Sequence, residues 1–181
     1  YKLLLIFDEV QTAMGRLGKL FGYQVYGAEP DIITMAKALG GGAPIGCMAT
    51  KSNIAESLTP GTHASTFGGN PLVCSAALAS LNVIVDEKLP ENAPRMGEYL
   101  MKKLLLLRDK FPVIKEVRGC GLVIGVELNI EGKGLVSECM RAGLILNCIG
   151  ASVMRFVPPL IINEKHVDEA IPIFEGALAN L

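Results

Sequence analysis

The chain has few histidines and no paired cysteines. Its five cysteines, Cys47, Cys74, Cys120, Cys139 and Cys148, are odd in number and scattered, with no Cys-x-x-Cys pair. A disulfide framework and a structural zinc site both need paired cysteines, so neither is expected, and a reducing cytoplasm is the compartment this usage points to. The two histidines, His63 and His166, lie too far apart for a local metal motif, and no bound metal is expected. A basic stripe is missing too. With 17 basic and 18 acidic residues interspersed to a net charge of −1, a nucleic-acid groove or an anionic membrane surface is not expected as partner. The run Leu104 to Leu107 is bracketed by Lys102, Lys103 and Arg108 and falls far short of the roughly 20 apolar residues that span a bilayer, so it reads as helix rather than anchor. No secretory signal opens the chain. Small molecules and like subunits remain as partners.

What is there is apolar. Of 181 residues 50% are hydrophobic and 19% charged, enough for one domain or two small ones with a sizeable core. Two apolar runs end on a lone charge: Leu4-Leu5-Ile6-Phe7 on Asp8, and Ile33-Thr34-Met35-Ala36 on Lys37. Such runs read as buried parallel strands, with Thr12 to Asp31 as the crossover and both charges at the carboxyl edge, where open α/β sheets bind ligands. A lysine and a carboxylate in one crevice suggest pyridoxal phosphate chemistry, the amine forming a Schiff base and the carboxylate holding the pyridine nitrogen protonated. Charges at strand ends are more commonly solvated or paired with each other, and these two residues alone leave that reading open. An ammonium is neither nucleophile nor base, so Lys37 needs burial or a neighbouring positive charge to act as an amine. The apolar residues before it permit burial.

Further along, a short helix is expected around Lys19 to Tyr26, and Ile45 to Thr50 as a third strand, antiparallel to the second because the link is short. Gly40-Gly41-Gly42 lacks Walker spacing and reads as a tight turn more than a phosphate cradle. Asn70 and Pro71 open a helix running to about Asp86. Asp86 to Pro94, charged and carrying two prolines, is the best linker, dividing the chain into domains 1–88 and 89–181. Beyond it, helices over Arg95 to Phe111 and Gly134 to Ala142, and a last one capped by Asn163, alternate with strands at Val113 to Val117, Gly121 to Leu128, Leu144 to Asn147 and Val153 to Val157. This is a mixed α+β layer with Arg118 in a glycine turn. Arg155 interrupts an apolar strand and needs a carboxylate partner, from the protein or from a substrate. The chain opens without methionine, at Tyr1-Lys2 and directly inside an apolar run, and so reads as a piece of a longer protein.

Asp8-Glu9-Val10-Gln11-Thr12, Gly15-Arg16, Glu29-Pro30-Asp31, Lys37, and Thr62-His63-Ala64-Ser65-Thr66-Phe67-Gly68-Gly69-Asn70-Pro71, with Val117 to Leu122 and Met154 to Leu160, together resemble the class III aminotransferases. The segment Thr62 to Asn70 is most similar to the branch acting on acetylornithine. The resemblance implies a fold-type I pyridoxal-phosphate-dependent α/β fragment, part of a large-domain mixed sheet plus a small C-terminal α+β domain. It implies Lys37 as the catalytic Schiff-base lysine, Asp8 on the pyridine nitrogen, Val10 against the ring, Gln11 at the ring hydroxyl, and Glu9 as a motif member without an assigned step. Thr66 is implied at the cofactor phosphate of a homodimer's neighbouring subunit, Ser65 near the substrate, and Arg155 on its carboxylate. The implied reaction is ping-pong transfer of the δ-amino group of N2-acetyl-L-ornithine to 2-oxoglutarate, giving glutamate, in arginine biosynthesis. Related donors, 4-aminobutyrate, ornithine or succinyldiaminopimelate, share the same frame. A catalytically silent fragment needing its missing half is the other reading. Ala13, Leu17 and Gly22 depart from the usual wording, glycine, threonine and alanine respectively, and touch loop geometry rather than Asp8, Gln11 or Lys37.

Overall fold

A computed structural model describes residues 3–181; Tyr1 and Lys2, which precede the first apolar run, lie outside them. The chain divides into two compact units, Tyr1–Glu91 and Asn92–Leu181.

In the first unit β1 (Ile6–Asp8) pairs in parallel with β2 (Ile32–Met35), and β2 pairs antiparallel with β3 (Cys47–Thr50), in the order β1-β2-β3. The antiparallel third strand follows from the short link, as expected. The crossover contains only one helical turn, α1 (Tyr23–Tyr26), where a longer stretch from Lys19 was expected. The glycines of this loop set its path: Gly15 and Gly18 take positive φ, and the buried Gly22 lets the chain approach Glu9. A second short helix, α2 (Ser52–Ala55), precedes a long loop. The helix α3 (Pro71–Asp86) starts where the sequence places it, with Asn70 accepting from the Val73 amide at 3.1 Å and proline in the first turn.

The buried parallel strand expected at Leu4 to Phe7 is corrected by the structure. Leu3, Leu4, Leu5 and Ile6 are 81, 57, 44 and 58% exposed. β1 is the outer strand of a three-stranded sheet, so its free edge pairs with no other strand among the described residues.

The stretch Asp86 to Pro94, expected as a linker, is largely helical. α4 (Leu89–Lys110) begins within it and carries Pro94 inside, and the division between the units falls in its first turn. Pro90 occupies that turn, where its missing N–H has no intrahelical partner to lose.

In the second unit, the four-stranded antiparallel sheet has the order β4-β5-β7-β6, from β4 (Ile114–Cys120), β5 (Val123–Leu128), β6 (Asn147–Ile149) and β7 (Val153–Phe156). β4 continues through Arg118 and Gly119 to Cys120, and the turn comes at Gly121, φ 52°, so Arg118 lies in a strand rather than in the expected glycine turn. There it pairs with Glu116 and Glu127 at 2.5 and 2.6 Å. Alternate residues of β5 and β7, Ile124, Val126, Leu128, Met154 and Phe156, point into the core, the period-2 pattern of a sheet covered on one face. α5 (Lys133–Arg141) buries Leu135 and Cys139. α6 (Glu164–Ala179) begins with a reciprocal cap, Asn163 accepting from the His166 amide and His166 Nδ1 accepting from the Asn163 amide, and sets Phe174 edge-on to Phe156 with ring centres 5.1 Å apart. α4 reaches the same core: a Cβ on Gly97 would meet the Gly121 carbonyl oxygen at 2.1 Å.

Candidate active site at the carboxyl ends of the first two strands

Parallel pairing with Asp8 opposite Thr34 brings the ends of β1 and β2 side by side. Beyond them, the loop carrying Gln11 and the 3-10 turn Lys37–Gly40 face one another, and Lys37 Nζ donates to Gln11 Oε1 at 3.2 Å. Lys37 has φ 47°, in the left-handed region that non-glycine residues seldom adopt. Backbone strain of this kind costs on the order of 1–3 kcal/mol and persists where the surroundings over-determine it, as at ligand sites. The burial that the preceding apolar residues permit is not reached: within this chain Lys37 is exposed.

Asp8 is held on one oxygen only. Its Oδ1 accepts from the Thr34 hydroxyl and from the Val10 amide, each at 3.1 Å, and among the described residues Oδ2 accepts from none. That oxygen is available to a ligand.

Glu9 points elsewhere. At 2% exposure it is the one buried charged side chain among the described residues, and its Oε2 accepts from the Gly22 amide at 2.7 Å and the Thr12 hydroxyl at 2.9 Å. Its Oε1 accepts from the Tyr23 amide at 2.7 Å. Both oxygens therefore anchor the crossover loop behind the strand end. Nothing in its sequence position distinguishes this from the role of its neighbour Asp8, since the donors lie 13 and 14 residues downstream.

Lys37 and Ser65 line one open cavity of about 950 Å³, with Gly42, Gly68 and Gly69 among its walls. Ser65 Oγ accepts from the Gly68 amide at 3.1 Å. Thr66, next to it, lies on an exposed loop outside that lining. Arg155 belongs to the second unit, on β7, where its Nε donates to Asn147 Oδ1 at 3.1 Å beside an apolar cavity of about 550 Å³. Thr34 is the residue the sequence reading missed. Its hydroxyl meets Asp8 only through the strand register, which no local pattern displays.

Among the described residues no cluster of three or more histidines, cysteines or carboxylates is placed to hold a metal ion, and no helix is long and apolar enough to cross a membrane.

The family model for class-III aminotransferases matches residues 1–178. This chain belongs to the class-III aminotransferases. Across this class-III chain, the acetylornithine aminotransferase of Methanocaldococcus jannaschii is 50% identical over 169 residues, covering 93% of this chain and 42% of that protein. Among solved structures, the acetylornithine aminotransferase of Elizabethkingia anophelis superposes with a TM-score of 0.92 at 35% identity, over 99% of this chain and 48% of that one. An ornithine aminotransferase of Toxoplasma gondii, described with pyridoxal phosphate at partial occupancy in its active site, gives 0.92 at 37% identity, over 98% of this chain and 43% of that one. The chain thus spans less than half the length of these class-III relatives. The match extends the resemblance to the fold: this is a fold-type I α/β fragment.

Class-III aminotransferases depend on pyridoxal 5′-phosphate. The residues at and beyond the strand ends fit that group: a primary amine for its aldehyde, an open carboxylate oxygen for its ring nitrogen, and a glycine-walled cavity lined by both Lys37 and Ser65.

Proposed function

We propose that this chain supplies the lysine-bearing part of an aminotransferase that moves the δ-amino group of N2-acetyl-L-ornithine to 2-oxoglutarate, in a ping-pong cycle releasing glutamate. The observation that carries the reading is the convergence of Lys37, Gln11 and the open oxygen of Asp8 at one sheet edge. Pyridoxal phosphate, when bound, supplies an aldehyde and an electron sink. Lys37 Nζ would hold it covalently, yield to the donor's amine, and then carry a proton between substrate carbon and cofactor. Asp8 Oδ2 would keep the pyridine nitrogen protonated, Gln11 would reach the ring hydroxyl, and Val10, whose amide orients Asp8, would pack against the ring. Glu9, expected among the cofactor-binding residues, would act on the loop instead.

Ser65 would lie near the substrate, Thr66 would serve the cofactor phosphate across a homodimer, and Arg155 would take the substrate carboxylate. Residues 1–88 would belong to the large cofactor-binding domain and 89–181 to the small one, in a cytoplasmic enzyme of arginine biosynthesis. The donor assignment is supported by relatives named for acetylornithine at 44 to 50% identity.

A second reading has its own observation. The exposed apolar run Leu3 to Ile6 on an unpaired edge fits a piece that becomes active only beside further strands. One experiment separates the two: incubate the chain with pyridoxal phosphate, reduce with borohydride and map adducts by peptide mass. Adduct confined to Lys37, and lost in Lys37→Ala, supports a formed site; adduct spread over Lys51, Lys102 and Lys103 assigns the chemistry to a longer assembly. A donor panel on the longer protein, with 2-oxoglutarate as acceptor, tests the substrate. 4-Aminobutyrate outpacing acetylornithine would overturn it.

A further inference from the structure

We infer that Thr34 is a positioning residue for Asp8, an inference that rests on the proposed cofactor site. The two residues are register partners in the parallel pair β1–β2, so their side chains share one face at the carboxyl edge of the sheet. The Thr34 hydroxyl donates to Asp8 Oδ1 at 3.1 Å, and the Thr34 carbonyl accepts from the Glu9 amide at 2.8 Å. One residue therefore fixes both the aspartate's side chain and the backbone just after it. With the Val10 amide as second donor, Oδ1 is doubly engaged while Oδ2 stays open.

This asymmetry matters because a carboxylate on an exposed strand end rotates freely about its χ angles, and a ring nitrogen accepts one orientation. Fixing one oxygen aims the other. Threonine suits the place for two reasons: its β-branched side chain favours a strand, and its χ1 is stiff, so the hydroxyl is held without further support. Valine keeps the shape and removes the donor. Serine keeps the donor on a more mobile stem.

The test compares wild-type chain, Thr34→Val and Thr34→Ser, each with Asp8 and with Asp8→Ala. It measures pyridoxal phosphate affinity by absorbance titration and the yield of borohydride-trapped Lys37 adduct. Thr34→Val should weaken binding about tenfold in the Asp8 background, as expected for a lost hydrogen bond to a charged group, and change it less than about twofold in Asp8→Ala. Thr34→Ser should recover most of the loss. Equal weakening in both backgrounds would make Thr34 a merely structural strand residue and overturn the inference, as would wild-type affinity in Thr34→Val. A wild-type chain that takes up no cofactor removes the proposed site itself, and the inference falls with it; that outcome is read from the wild type alone, before any variant.

Discussion

The two units differ in where they put their apolar residues. Among the described residues, 21 of the buried hydrophobic side chains belong to Asn92–Leu181 and 7 to Tyr1–Glu91. The second unit has a sheet with one face covered and a fully buried centre at Met96, Leu104, Val126, Met154 and Phe174. The first has a three-stranded sheet whose outer strand is exposed, and its crossover loop joins three buried apolar side chains, Ala13, Met14 and Leu17, to the buried Glu9 carboxylate. Stability and chemistry are thus separated along the chain. The well-packed unit carries Arg155 alone of the expected site residues, while Asp8, Gln11, Lys37 and Ser65 sit on the thinly packed one. A site built from strand ends and glycine loops has side chains free to meet a ligand, and correspondingly few to bury.

The largest effect that would break this contrast is core truncation in the second unit. Phe174→Ala removes a fully buried ring stacked edge-on against Phe156 and should cost about 3–5 kcal/mol. In thermal unfolding followed with amide exchange, protection should fall at β5 and β7 and stay unchanged at β2. Loss of protection in both units together would show a single cooperative body.

The counterpart in the first unit is Glu9→Ala. It leaves the Gly22 and Tyr23 amides without their acceptor in a buried site and should cost about 2 kcal/mol, read by urea titration. Glu9→Gln keeps the volume but turns N–H donors toward one of those amides, so it should recover only part of the loss. Full recovery by Gln would mean that shape, rather than the carboxylate, holds the loop.

Much of the second unit was legible because its signals are local. Asn163 caps its helix through bonds spanning three residues, as Asn70 does in the first unit, and the alternation of Ile124, Val126 and Leu128 is visible as it stands. The start of α4 was misread because Pro90 and Pro94 were counted as breakers, whereas Pro90 sits in the first turn and Pro94 is carried inside the helix. Strand β4 was cut short because Gly119 was read as a turn; a Cβ there would meet the Val123 carbonyl oxygen at 2.3 Å, so this glycine serves close strand approach. In the first unit the two charged strand ends were legible from their apolar runs. Thr34 and the role of Glu9 were not, since each depends on a partner 13 to 26 residues away that only the register and the loop path supply.

A smaller contrast is expected with acid. The Asp31 carboxyl is held below its ordinary value first by the Leu5 amide, which donates to it at 2.9 Å, and then by Lys51. Asp168 in the second unit is held down by Lys103 and then Tyr99. A depressed carboxyl contributes stability that is present above its unfolded value of about 3.9 and lost as pH falls through the folded one, because the unfolded chain then binds more protons. Below about pH 4 both contributions fade. Asp31 tethers the backbone of the exposed edge strand, whereas Asp168 lies on the surface of a unit with its own core, so amide exchange should quicken first at Leu5. Asp31→Asn should flatten that pH dependence, and equal acid sensitivity in both units would contradict the contrast.

The smallest effect expected is at Gly22, and it tests how tightly the carboxylate anchor is drawn. Gly22 has ordinary helical dihedrals, φ −64° and ψ −36°, so conformation does not require glycine there. Space does: an added Cβ would lie 2.9 Å from Glu9 Oε2 and 3.1 Å from the Thr12 Cβ. Against this crowding, alanine has fewer unfolded conformations to lose than glycine, worth about 0.4–1 kcal/mol where the dihedrals suit it. Glu9 Oε2 is the end of a flexible side chain and can give a few tenths of an ångström, at the expense of a 2.7 Å hydrogen bond. The two contributions nearly cancel, so Gly22→Ala should change stability by less than about 0.5 kcal/mol while quickening exchange at the residue 22 and Tyr23 amides. Stabilisation by a full 1 kcal/mol, with exchange unchanged, would mean that the loop has slack and that the buried carboxylate holds the first unit less firmly than its geometry implies.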